Sequence, residues 1–163
     1  MTDFSNLPYK LHTGSELELM LNGVKPLAVF SNSYPGEPCE EVIPEIAFEP
    51  YVKSGRFEKR EFIRLLNNPP SAMESRFKGY RHVLYVLPAE SWRIDAYIEM
   101  DAQAEKLGWS EEFERRQGFL LGYEDWQTDA WLIFLLGRPQ AKNIPWLQRL
   151  EAKQNNGQPP LAM

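Results

Sequence analysis

The order in which two hydrophobic periodicities occur constrains this chain more than any other feature. Up to residue 88 apolar residues tend to alternate, and nine of the thirteen prolines lie there. Beyond it apolar residues recur at helical spacing, and all five tryptophans lie there. Repeated βαβ units would interleave the two periods, so strands followed by helices point to α+β rather than α/β. The expected architecture is an antiparallel sheet of three to five strands from the N-terminal half, packed on one face by two to four helices from the C-terminal half. A length of 163 residues suits one globular domain. That domain is expected over residues 1–154, with a disordered tail over 155–163 that contains Asn155-Asn156-Gly157-Gln158-Pro159-Pro160.

Local signals place the elements. Leu17, Leu19 and Leu21 alternate with Glu16, Glu18 and Met20, and Asn22-Gly23 separates them from Leu27–Phe30. Asn-Gly between apolar runs is a hairpin signal, because both residues tolerate the positive φ of a type I′ turn. Pro26 cannot donate a ladder hydrogen bond, which puts the second strand at an edge or bulge. Residues 31–44 read as loop. Ile46, Phe48, Pro50 and Val52 share a parity and suggest a third strand, and 57–66 suggests a strand followed by a short helix. Residues 67–71 form a break, and residues 80–87 alternate as a strand.

Helical signals then take over. Pro88 suits a first turn, Ser91–Leu107 carries an apolar stripe, and Gly108 is a left-handed stop. Ser110 is a natural N-cap, with Glu111 and Glu112 in the first turn and Gly122 near the end. Gly118 and Gly122 mark where a helix approaches a neighbour closely or stops. Asp125 is the expected cap of a third helix that stops at Gly137 and Pro139. Asn143 is the expected cap of a last helix from Pro145.

Composition excludes several classes. One cysteine, Cys39, rules out an internal disulfide framework and Cys-based zinc sites. Two glutamates follow Cys39 and oppose thiolate formation. No basic-then-apolar leader opens the sequence, and no apolar run reaches the roughly 18–20 residues of a membrane span. These features lead to the expectation of a cytoplasmic chain with no membrane partner. Neither a Gly-x-Ser-x-Gly elbow nor a phosphate loop is present, so no cofactor is implied.

The net charge of −5 conceals an uneven distribution. Residues 53–81 hold eight cations against three acids, and residues 90–129 hold eleven acids against four cations. Such segregation can be two solvated faces, or it can be a recognition surface that steers a charged partner. The candidate binding residues are Arg56, Lys59, Arg60, Arg64 and Arg81 in the basic stretch, with Asp125, Trp126 and Asp129 in the acidic one. Asp125 and Asp129 lie one helical turn apart. Asp129 also falls between Trp126 and Ile133 in helical register; if buried, it needs a partner such as Arg81, Arg93 or Arg115.

Three functional classes follow from these residues. The leading expectation is a small cytosolic, non-catalytic binding or regulatory protein that acts on another protein through its charge-segregated surface, with salt-sensitive binding. An alternative is a small enzyme with a site around His82 and a carboxylate such as Glu49. A metal site would need His12 and His82 together with Glu49, which their spacing does not suggest, so no metal ligands are assigned. The second alternative is a single-stranded nucleic-acid binder through 53–81, where Phe57, Phe62, Phe77 and Tyr80 interleave the cations.

Overall fold

A computed structural model describes residues 2–67 and 76–157. Its architecture is α+β, with a three-stranded antiparallel sheet from the N-terminal half and helices in the C-terminal half. In chain order the elements are α1 (Glu16–Leu21), β1 (Leu27–Tyr34), α2 (Glu45–Lys53), β2 (Glu58–Leu65) and β3 (Gly79–Val86), then α3 (Trp92–Leu107), α4 (Glu111–Leu121), α5 (Asp125–Leu136) and α6 (Pro145–Asn155). Short 3-10 turns cover Pro88–Glu90 and Pro139–Asn143. No helix among the described residues is long and apolar enough to cross a membrane. The chain forms two compact units, one of residues 15–95 and one of the residues before 15 together with those from 96 onward.

In the first unit the strands run β1-β3-β2, so β3 is central and Pro26 precedes an edge strand, as its missing N–H requires. Phe30 lies opposite Val83, and Ala28 opposite Tyr85. This face packs against Met20 of α1, Phe48 of α2, and Ile43 and Phe57. The Phe48 ring stacks on Tyr85 at 4.2 Å between centroids. The opposite parity of β3 carries His82, Leu84 and Val86, all buried. The alternation expected over 80–87 therefore holds.

Two expected strands are helices. Residues 16–21 form α1 because Leu17, Met20 and Leu21 also fit the i, i+3, i+4 spacing that turns one helical face toward this core. Six residues carry both periods, and packing selects the helical one. Asn22 is accordingly right-handed, with φ −82°, and only Gly23 has positive φ, so the pair ends a helix instead of turning a hairpin. Residues 45–53 form α2 with Pro50 inside it. The expected parity loses because Phe48, Tyr51 and Val52 share a helical face on the core. The carboxylate of Glu40 accepts the N–H groups of Ile46 and Ala47, each at 3.1 Å, and so serves the start of α2. Residues 58–65 are strand throughout, with no short helix following within the described residues. Most of the expected break over 67–71, and residues 158–163 of the expected tail, lie outside the described residues.

The second unit follows its caps more closely. Ser110 accepts the N–H of Phe113 at 3.3 Å, and Gly122 ends α4 at φ +91°. Helix α5 is capped one residue earlier than expected. Glu124 and Gln127 form a reciprocal capping box, and Asp125 is the first helical residue. Ile144, not Asn143, precedes α6, because Asn143 closes the 3-10 turn before it. Leu132, Ala141, Leu147 and Leu150 make one buried cluster of this unit between α5, the 3-10 turn and α6.

One buried cation gives the first unit a pH signature. Lys25 is 2% exposed, and burial pushes its ammonium down to about 8 from 10.5, with partial opposition from Glu16. Between those values the unfolded chain binds the proton and the folded chain does not, so folding stability rises with pH there. Denaturation followed from pH 8 to 10.5 is expected to show that rise, and Lys25→Met to flatten it. A slope that persists in the variant would assign it to another group.

Candidate functional site

The second unit contains a cleft of about 610 Å³ built by three stretches of chain: the segment Phe4–Thr13, helix α4 and helix α5. Its geometry begins with two helices that approach closely. A Cβ added to Gly118 on α4 would sit 2.5 Å from Oγ1 of Thr128 on α5. Because Gly118 has no side chain there, the helices meet at this level. The same antiparallel register then brings Glu114, one turn back on α4, to Trp131, one turn on along α5.

The carboxylate of Glu114 is held from both sides. The indole N–H of Trp131 donates to Oε1 at 2.6 Å, and the indole N–H of Trp109 donates to Oε2 at 2.6 Å. Both donors are neutral, and no cation among the described residues lies within ion-pair distance of Glu114. Phe4, Tyr9, Tyr123 and Trp131 provide the aromatic walls, and Lys10 stands at the rim, exposed. Tyr9 meets Tyr123 edge-on at 6.0 Å and Trp126 edge-on at 5.6 Å. Burial, then the neighbouring Tyr123 and Glu114, raise the Tyr9 phenol to about 12. The N-terminal segment is tied down by His12, whose ring stacks on Tyr123 at 3.9 Å and whose backbone N–H donates to the Tyr123 hydroxyl at 2.9 Å. The result is a half-buried carboxylate at the wall of a cavity lined by aromatic side chains.

The residues singled out from the sequence fall in two places. In the first unit Lys59 and Arg81 converge on Glu45, at 2.7 Å for Lys59 and at 3.0 and 2.9 Å for the two guanidinium nitrogens; Arg81 also binds Glu61. Arg81 first, then Lys59, holds the Glu45 carboxyl down to about 2. The Tyr85 hydroxyl is buried without a partner among the described residues. Arg60 pairs with Asp95, Arg56 donates to the Leu21 carbonyl at 2.9 Å, and Arg64 lies over the Phe62 ring. Four of these five cations therefore sit on β2 and β3, and Lys59, Arg60 and Arg81 are matched by local acids. Of the interleaved rings, Phe57 is core.

In the second unit Asp129 is buried and receives Arg115 at 2.7 Å, one of the partners its register called for. Trp126 is 40% exposed and donates to Glu124. It lines a separate groove of about 950 Å³ with Ala130, Ile133 and Phe134. His82 and Glu49 are not brought together. His82 lies 2.6 Å from the Ser31 hydroxyl and stacks on Phe62. Glu49 pairs with Lys53 on α2, which packs against the opposite face of the sheet.

Sequence reasoning missed the residues of the cleft. Tyr9, Glu114 and Trp131 are remote in sequence, and no spacing rule joins them. The available signal was Gly118, which marks where α4 meets its neighbour. No protein family, curated protein or solved structure matches this chain.

The close approach is testable. Gly→Ala inside a helix ordinarily stabilises by about 1 kcal/mol. Here Gly118→Ala is expected to destabilise by about 1–3 kcal/mol through overpacking. Chemical denaturation should show Thr128→Ala recovering most of that loss in the double variant. Strictly additive losses would contradict the contact.

Proposed function

We propose that this chain is a non-catalytic binding protein that acts on another protein and takes a cationic side chain of that partner in the cleft around Glu114. One observation carries the reading: a half-buried carboxylate fixed by two neutral donors, with no ion-pair partner among the described residues, at the wall of a cavity lined by aromatic side chains. A charge so placed favours a ligand that brings the missing positive sign. The lone thiol Cys39, with no disulfide partner, supports placing the protein in the reducing cytoplasm.

The reading keeps recognition by charge but moves its centre. Lys59, Arg60 and Arg81 already have acids beside them in the first unit, whereas the donors that hold Glu114 are neutral.

Fluorescence anisotropy with labelled peptides tests it. Peptides with a central lysine or arginine are expected to bind, to weaken as salt rises, and to lose roughly tenfold or more in affinity with Glu114→Gln. Arg60→Glu should bind them unchanged. Preference for glutamate-containing peptides, abolished by Arg60→Glu, would place recognition on the basic strands instead.

A further inference from the structure

We infer that the cation the cleft takes is an arginine side chain of the partner protein, its guanidinium forked across the two oxygens of Glu114. The inference rests on the function proposed above and narrows it to one side chain. It starts from the acceptor positions that Glu114 keeps. A carboxylate accepts about four hydrogen bonds, two on each oxygen. The indole N–H of Trp131 takes one position on Oε1, and that of Trp109 takes one on Oε2. One position thus remains on each oxygen. A guanidinium fork fills such a pair, with one N–H to each oxygen, whereas an ammonium places its donors around a single nitrogen.

The neighbouring polar lining supplies a second argument, because it offers further acceptors. Thr128 lines the cleft and is 7% exposed, and its hydroxyl has no hydrogen-bond partner among the described residues. A polar group so buried calls for one. Gln117 also lines the cleft, three residues after Glu114 and so beside it on α4. It uses an amide N–H on the Tyr97 hydroxyl at 3.5 Å, which leaves its amide oxygen to accept. A guanidinium carries five N–H groups, so three remain after the fork on Glu114, and Gln117 and Thr128 are acceptors for them. An ammonium has three in all. The group with the most donors therefore matches this lining best.

The test uses the full chain and four labelled peptides that differ only in the central residue: arginine, lysine, asymmetric dimethylarginine and citrulline. Dimethylation keeps the charge and blocks the fork, and citrulline keeps the shape without the charge. By fluorescence anisotropy the arginine peptide is expected to bind roughly tenfold or more tighter than the lysine peptide. Dimethylarginine should lose that advantage, and citrulline should bind most weakly. Thr128→Val should narrow the arginine-to-lysine ratio. By removing an unpartnered buried hydroxyl it should also raise the midpoint of chemical denaturation. If Thr128→Val fails to fold, as judged by circular dichroism, Gln117→Met serves in its place with the same narrowing.

Equal affinity for arginine and lysine, still dependent on Glu114, overturns this inference while the proposed function stands. Dimethylarginine binding as tightly as arginine does the same, since charge without the fork would then suffice. Citrulline binding as tightly as arginine, or no binding of any of the four peptides, removes both this inference and the function beneath it.

Discussion

The contact between Gly118 and Thr128 fixes the geometry on which the cleft depends. Two helices can meet at this level only where one of them lacks a Cβ. The antiparallel register that results sets two further contacts. Glu114 faces Trp131, and Arg115 faces Asp129 at 2.7 Å. The second contact places a buried carboxylate against a guanidinium, which keeps Asp129 from being an uncompensated charge. The first leaves a carboxylate with neutral donors only. One close approach thus sets one acid beside a cation and the other beside neutral donors.

The two units treat charge differently. In the first, Glu45 gathers Arg81 and Lys59, Glu61 adds to Arg81, and Asp95 takes Arg60. A stretch that looks basic along the sequence is therefore largely neutralised by acids nearby in space. Glu45 and Asp95 come from outside that stretch, so counting charge by segment overstates the field of the folded surface. In the second unit, cations on α4 and α6 meet Glu111, and Arg116 meets Glu112, but none reaches Glu114. Net charge says little about where charge is left unmatched on the folded surface.

The fold class was legible because the two periodicities are segregated, and the C-terminal helices because their ends carry explicit chemistry. Ser110 and the left-handed Gly108 and Gly122 do what such residues do at helix termini. The N-terminal half was less legible because its helices are short. Over six residues, Leu17, Met20 and Leu21 satisfy a helical stripe as well as Leu17, Leu19 and Leu21 satisfy alternation, and only packing on Phe48 and Ala28 decides. Pro50 shares the parity of Ile46, Phe48 and Val52 that suggested a strand, yet it lies inside α2, whose Phe48 stacks on Tyr85. His82 shares the buried face of β3 with Leu84 and Val86, and it does not meet Glu49 because α2 packs on the other side of the sheet. The cleft was illegible because each wall comes from a different stretch of chain.

The most direct test of the central claim is a two-dimensional proton–nitrogen spectrum of the five tryptophan indoles, recorded with hydrogen exchange. Indole N–H groups bonded to a fixed, half-buried carboxylate should resonate downfield and exchange slowly. Two signals, assigned to Trp109 and Trp131, are expected to show both properties and to lose both in Glu114→Gln. Five indoles of similar exchange rate, none shifted by that substitution, would mean the carboxylate is not held as described, and the account of the cleft would fail with it.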